Sequence, residues 1–383
     1  MSTIDEIYSY PEISFVGDIS LDRLMGEMVQ DFQEKYNEIT GKSMTLGKAD
    51  PNRLILYAAA LQIFQGFVNI DKAAKSNFLK YTSGDALEEL CSLKGIQRLQ
   101  GSRASTTMKF TLSAKQMSVV SIPMGTRVTG SGEIYFYTTE NAGIGIGELT
   151  VEVPASCVEI GEHANGIEIG ELNVLVDAIP YVDSVMNTMK TEGGAGIESD
   201  EKLKERFFLA PSGYSVAGPD GAYEYWTKSY NPAIKDVRVT SPAPCVVNIR
   251  FIMDDGQIPG DTVIQGLREY LMNENIRPLT DQVTVEAPEI EPYNVKVLYF
   301  IKRSDTSKEM AIKTQVTQAL NNYNAWQQEK IGRDITPDVL IQYMMAAGAK
   351  RVIIEEPVYK VIQDISIAQL SEETVTYGGI EDD

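Results

Sequence analysis

Three places in this sequence of 383 residues hold residue types that could do chemistry. The first is its single histidine, His163, in Gly161-Glu162-His163-Ala164-Asn165-Gly166. A Ser-His-Asp relay could be built only around it, and no Gly-x-Ser-x-Gly nucleophile elbow occurs to supply the serine. One histidine cannot form a zinc-binding pair either. Flanking glycines set it in a turn between strands, where it reads as a loop residue. The second place is Gly193-Gly194-Ala195-Gly196, ahead of Ile197-Glu198-Ser199-Asp200-Glu201. A glycine-rich turn at a helix start can cradle phosphate, but this helix entrance presents carboxylates, which repel it, and there is no Walker-type loop. The third is Glu224 among Tyr223, Tyr225 and Trp226. A carboxylate among aromatic rings could belong to a glycosidase pair. At helical spacing, however, Tyr223 and Trp226 share a face, which favours a packing stripe over a sugar platform. No catalytic residue is assigned.

The bulk properties point away from several partner classes. With 34 basic and 54 acidic residues the net charge is -20, which opposes nucleic acid and anionic membrane. Cys91, Cys157 and Cys245 are odd in number and far apart, so buried, reduced thiols are expected rather than a zinc site. The acidic residues scattered from Glu148 to Glu171 lack the close spacing of a calcium loop, and no metal or cofactor is expected. Met1-Ser2-Thr3-Ile4-Asp5-Glu6 has no signal-peptide character, and no segment is read as approaching the roughly 18 apolar residues of a membrane span. A cytoplasmic protein without a membrane partner is therefore expected.

The elements that would position these residues follow from periodicity. Leu21, Leu24, Met28, Phe32, Tyr36 and Ile39 mark one helix, ended by Gly41. Asp50-Pro51 opens a second, with Leu54, Ala58, Leu61, Phe64, Phe67 and Phe78, and Ser83-Gly84-Asp85 opens a third. From Thr106 to Asn187 the period becomes two, as in Met108, Phe110 and Leu112, with glycine breaks at hairpin distances. The glycine run then turns the chain sharply, Ser199 caps a short helix, and Gly218-Pro219-Asp220 starts another. Beyond Trp226, strands flank helices twice over, and Gly378 to Asp383 reads as a loose acidic tail. The expected class is α+β: an N-terminal helical region (1–95), a central antiparallel β-rich domain (96–192), a glycine-rich hub with two helices (193–232), and two small C-terminal α+β units of ferredoxin-like type (233–290 and 291–383). Gly193, Gly194, Gly218, Tyr223 and Trp226 form the hub, read as a hinge or elbow. The stripe Leu21, Leu24, Met28 and Phe32 is a candidate partner interface.

Several of these stretches together resemble the baseplate J-like family, the wedge proteins of contractile phage tails and related bacteriocins. The strongest match is Gly193-Gly194, Glu198-Ser199-Asp200-Glu201, Leu203 and Arg206, followed by Gly218 and the aromatic helix Tyr223 to Trp226. It departs from the family pattern at Gly196, where an aspartate is expected. Supporting matches are Gly95-Ile96-Gln97-Arg98, Gly101-Ser102-Arg103-Ala104, Val120 to Val128, Gly161 with Asn165 and Asn187, Gly332-Arg333-Asp334-Ile335-Thr336-Pro337, and the strand ending in Pro357. The resemblance spans about Pro51 to Leu370. It implies a structural, non-enzymatic wedge protein with no cofactor, assembled in the bacterial cytoplasm and then part of a virion or bacteriocin particle. Implied partners are other copies of itself, two per wedge in a six-fold ring, smaller wedge proteins, and the tail hub and sheath-initiating proteins. The ring would hold the tail extended and relay the contraction trigger. A tail-associated wall-degrading enzyme and a receptor-binding tail protein are the alternatives; the chain lacks the long repeats expected of a fibre.

Overall fold

The computed structural model describes residues 8–130, 132–213, 220–273, 276–278 and 280–382, and the chain divides into two compact units. The first comprises residues up to Gln97 together with Asp200–Phe208. In it, α1 (Leu21–Thr40) is capped by Ser20, whose side chain accepts from the Arg23 amide at 3.2 Å, and it ends at Gly41, left-handed at φ +65°. Helix α2 (Pro51–Lys75) starts on Asp50, which accepts from the Asn52 amide at 2.8 Å, and packs along α1. It stops before Phe78, which the periodicity had included; that ring instead stacks on Phe15 at 5.6 Å. Helix α3 (Gly84–Ser92) buries Leu87 and Cys91. Its N-cap Ser83 makes no capping bond; the Asp200 carboxylate takes that place, accepting from the Gly84 amide at 2.9 Å.

Asp200 begins α4 (Asp200–Gly213). In the same unit Arg206 Nη2 donates to the Gln97 carbonyl at 2.7 Å, and Lys94 Nζ donates to the Phe207 carbonyl at 3.0 Å while lying over its ring. The acidic helix entrance thus serves as a fastening of the helical unit.

The second unit holds three parts. The first is a six-stranded sheet in the order β7-β3-β4-β6-β1-β8, every neighbouring pair antiparallel, from β1 (Ser105–Leu112), β3 (Arg127–Thr129), β4 (Tyr135–Thr138), β6 (Thr150–Cys157), β7 (Val174–Leu175) and β8 (Val182–Asn187). It curls until β7 and β8 meet, giving a nearly closed barrel, with a ribbon of β2 (Val120–Ile122) and β5 (Ala142–Ile144) beside it. The alternation along β1 sends Met108, Phe110 and Leu112 into a core shared with Phe136, Val153 and Val185.

A central lobe follows: α5 (Asp220–Tyr230), the hairpin β9 (Ile234–Ala243) and β10 (Val246–Met253), α6 (Asp261–Leu271) and β11 (Gln282–Glu286), sheet order β11-β10-β9. The carboxyl-terminal lobe has β12 (Glu289–Lys302), α7 (Glu309–Gln328), α8 (Pro337–Ala346), β13 (Arg351–Glu356) and β14 (Ser366–Glu381), order β13-β12-β14. Each lobe has a central strand with one parallel and one antiparallel neighbour, so the chain as a whole is α+β. The expected loose tail is corrected here: Gly378 to Glu381 belong to β14, and Glu381 pairs with Arg351 on β13.

Candidate functional site

The glycine run is built into the second unit from several sides. Gly193 adopts φ +84°, and its carbonyl accepts from Ser102 Oγ at 2.6 Å and Asn231 Nδ2 at 3.2 Å. Gly194 is held by Asn165 through two 2.8 Å bonds, amide to Oδ1 and Nδ2 to carbonyl. A Cβ on Gly194 would sit 2.3 Å from the Gly161 carbonyl oxygen and 3.1 Å from the Ala104 amide, so only glycine fits. One residue on, Ala195 is buried in the central-lobe core with Tyr223 and Val263. An added Cβ on Gly196 would meet nothing within 4 Å.

Tyr223 is buried, and its hydroxyl donates to Asp281 Oδ2 at 2.7 Å; burial, then the Asp281 carboxylate, push its pKa well above the usual tyrosine range, so the phenol stays protonated. Trp226 packs against the same core, edge-on to Tyr225, and Glu224 pairs with Lys228 at 3.0 Å. These aromatics are committed to packing rather than arrayed as a sugar platform. Gly218, the remaining predicted hub residue, lies outside the described residues.

One positioning residue was missed from sequence. Glu192, at the end of the barrel, reaches the start of α6, where Oε1 accepts from the Thr262 amide at 3.1 Å and the Val263 amide at 3.4 Å. The helix has Gly260 at its N-cap, with no side chain to do this itself, and that is the one local signal available. Similarly, the buried Asn187 satisfies the 168–172 loop, accepting from the Gly170 and Leu172 amides and donating to the Glu168 carbonyl. A cleft of about 620 Å³ opens beside Glu192, lined by Glu162, Lys190, Asp254, Asp255 and Gln328 among others. No group of three or more histidines, cysteines or carboxylates among the described residues could hold a metal ion. His163 is in a short 3-10 turn (Glu162–Ala164), half-exposed, 3.2 Å from Glu159. Cys91 and Cys157 are buried, Cys245 is exposed.

In the helical unit, Leu21, Leu24, Met28 and Phe32 are half-buried, and Met25 is the buried residue of α1. The larger uncovered apolar surface is on α2. At 3.6 residues per turn, Leu54, Tyr57, Leu61 and Val68 form one exposed ridge and Ile55, Ile63 and Ile70 another, with Gln62, Gln65 and Asn69 between them. Only Ala60 of the whole helix is buried. The sequence expectation about membrane spans is amended by this helix: Leu54 to Ile70 carry no charge, and by length and composition alone α2 could cross a bilayer.

Comparison with known proteins gives two domain matches: residues 107–194 match the baseplate J-like protein barrel domain, and residues 215–287 the baseplate J-like central domain. Baseplate protein J of Escherichia phage P2 is 28% identical over 190 residues, 49% of this chain and 62% of that protein. The phage-like element PBSX protein XkdT of Bacillus subtilis (strain 168) is 24% identical over 173 residues, 45% of this chain and 44% of its own length. The aligned part thus spans less than two thirds of either relative. A chain of the cryo-EM structure of the anti-feeding prophage baseplate aligns over 96% of this chain and 97% of its own at 13% identity, with a TM-score of 0.39.

Proposed function

We propose, from the premise that this is a baseplate J-like protein, that the chain is a structural wedge component of the baseplate of a contractile tail or related particle, without enzymatic activity. The observation that carries this reading is the succession of the family's barrel and central domains in one chain. In this reading the helical unit is the assembly surface. Two apolar ridges on α2 and the half-buried stripe Leu21, Leu24, Met28 and Phe32 on α1 are covered by helices of further copies and of smaller wedge proteins. The amides of Gln62, Gln65 and Asn69 favour a helical protein neighbour over lipid, because each needs a hydrogen-bond partner when covered. The Gly193–Ala195 turn acts as a rigid elbow that sets the barrel against the central lobe, and the carboxyl-terminal lobe provides contacts around the ring; the assembled ring holds the tail extended and passes on the contraction trigger.

The test is assembly with the neighbouring tail proteins of the same particle. The pair Ile55→Glu and Ile70→Glu, and separately Leu24→Glu with Met28→Glu, are expected to leave a folded chain that no longer enters particles seen by electron microscopy. Particles that form normally with both pairs would overturn the assignment of this surface. Peptidoglycan cleavage by the purified chain would overturn the non-enzymatic reading.

A further inference from the structure

The central lobe and the carboxyl-terminal lobe are connected along the chain by Ala287-Pro288, between β11 and β12. Across the seam between them, central-lobe contacts converge on one short segment, the end of α7 and the turn after it. Asp236 and Arg238, two apart on β9 and so on one face, bracket a single residue. The Asp236 carboxylate accepts from the Ile331 amide at 2.9 Å, and Arg238 Nη2 donates to the Ile331 carbonyl at 3.4 Å. Beside them Lys235 lies 3.6 Å from Glu329, and Arg238 lies 3.6 Å from Asp364. Gly256, at φ +69°, presses so near Gln328 that an added Cβ would sit 2.6 Å from that residue's Cβ.

The apolar part of this seam is small: Ile331 and Ile367 meet Ile252, with Ile258 alongside. Against it stand Arg238 Nε, Arg333 Nη1, Gln327 Oε1 and Ser366 Oγ, all buried without a hydrogen-bond partner. All four belong to this neighbourhood: Gln327 Nε2 donates to the Arg333 carbonyl at 3.0 Å, and the Gly332 amide to the Ser366 carbonyl at 2.8 Å. Unpaired buried polar atoms offset the gain from a few isoleucines, and water entering on separation would satisfy them. Burial also pushes the Asp236 carboxyl upward against the pull of the Ile331 amide, Lys228, Lys330 and Arg238, so holding this carboxylate in the closed seam has a cost. Small polar interfaces between lobes are the ones that open.

We infer that the seam is a releasable latch. With the Ile331 peptide gripped by Asp236 and Arg238 the two lobes move as one body; with it freed, the carboxyl-terminal lobe turns about Ala287-Pro288. Native-state hydrogen exchange on the unaltered chain tests this. The Ile331 amide is expected to exchange at least about tenfold faster than the interior amides of Val295 and Val297 on β12, through an opening short of global unfolding. Equal protection at the three sites would overturn the latch. Asp236→Asn, which keeps the shape and weakens the acceptor, is expected to speed exchange at Ile331 about tenfold while leaving β12, and the Gly332 amide bonded to Ser366 within its own lobe, unchanged. A second readout uses spin labels on the exposed native Cys245 and on Met310→Cys, exposed on α7, with Cys91 and Cys157 buried. Asp236→Asn combined with Arg238→Gln should add a second, longer distance population. A folded double variant that keeps one unchanged distance would overturn the proposal, and if the variant does not fold the exchange data on the unaltered chain decide.

Discussion

Adding a single methyl group at Gly194 is expected to damage the barrel severely, while the same change two residues later is not. In Gly194→Ala the new Cβ would lie 2.3 Å from the Gly161 oxygen, 2.9 Å from Asn165 Oδ1 and 3.1 Å from the Ala104 amide. Two of these neighbours are backbone, so a rotamer change cannot relieve them. Overpacking of this kind costs about 1–3 kcal/mol. Displacing Asn165 also breaks its two bonds to Gly194, at about 1 kcal/mol each, for a total of about 3–5 kcal/mol. Gly196→Ala, with nothing within 4 Å of its Cβ, should change stability by less than about 0.5 kcal/mol. Because several parts of the chain can unfold separately, the assay needs a probe inside the barrel. Cys157, buried opposite Phe136, supplies one: its reactivity toward a thiol reagent at graded urea, read peptide by peptide, reports barrel opening. For a slope near 2 kcal/mol per M, the midpoint of Cys157 exposure in Gly194→Ala should fall by ~1.5–2.5 M relative to Gly196→Ala. Midpoints within about 0.3 M of each other, well inside that expected shift, would refute the close-approach account of the glycine run.

Two other expectations concern electrostatics. Glu192→Ala should remove the acceptor at the start of α6 and cost about 1–2 kcal/mol, seen as roughly tenfold faster amide exchange at Thr262 and Val263, and Glu192→Gln should cost less; unchanged exchange at both amides would show that Glu192 does not cap the helix. Asp177 should titrate near 2, below its ordinary 3.8, because the Arg127 side chain and then the Arg127 amide hold its charged form. Since the folded value lies below the unfolded one, the stabilisation is complete above pH 3.8 and is lost as the pH falls toward about 2; a carboxyl resonance of Asp177 titrating at the ordinary value, or unmoved by Arg127→Gln, would contradict the pairing.

What could be read from sequence was whatever is decided locally. The Asp50-Pro51 start, the Gly41 stop and the period-two run of β1 each depend on a handful of neighbouring residues, and each element lies where those residues put it. The triple glycine was legible as a turn. Which of its members is walled in and which faces open space was not, because the walls are Gly161, Asn165 and Ala104, far away in the chain. Glu192 escaped notice for the same reason: its partners lie at the start of a distant helix, and nothing adjacent advertises the role. β14 was missed because residues 371–376 are exposed on both faces, so no burial alternation marks them; the strand is held by its parallel ladder with β12. The helical stripes were visible in α1 and α2, but a stripe does not say whether its own chain covers it, and on α2 its own chain mostly does not.

The pairing of β12 with β14 also orders events during synthesis. The barrel has all its strands once Asn187 has left the ribosome, whereas the carboxyl-terminal lobe waits for Glu381. At the usual ~5–20 residues per second that gap, nearly 200 residues, lasts roughly 10–40 s. During the last part of it, roughly 4–16 s at the same rate, β12 has been made without its longest partner complete, and a strand edge carrying Val295, Val297, Tyr299 and Ile301 is open to neighbouring nascent chains. Premature association at this edge, rather than failure of the early-forming barrel, is the hazard that a cell producing many copies at once has to contain.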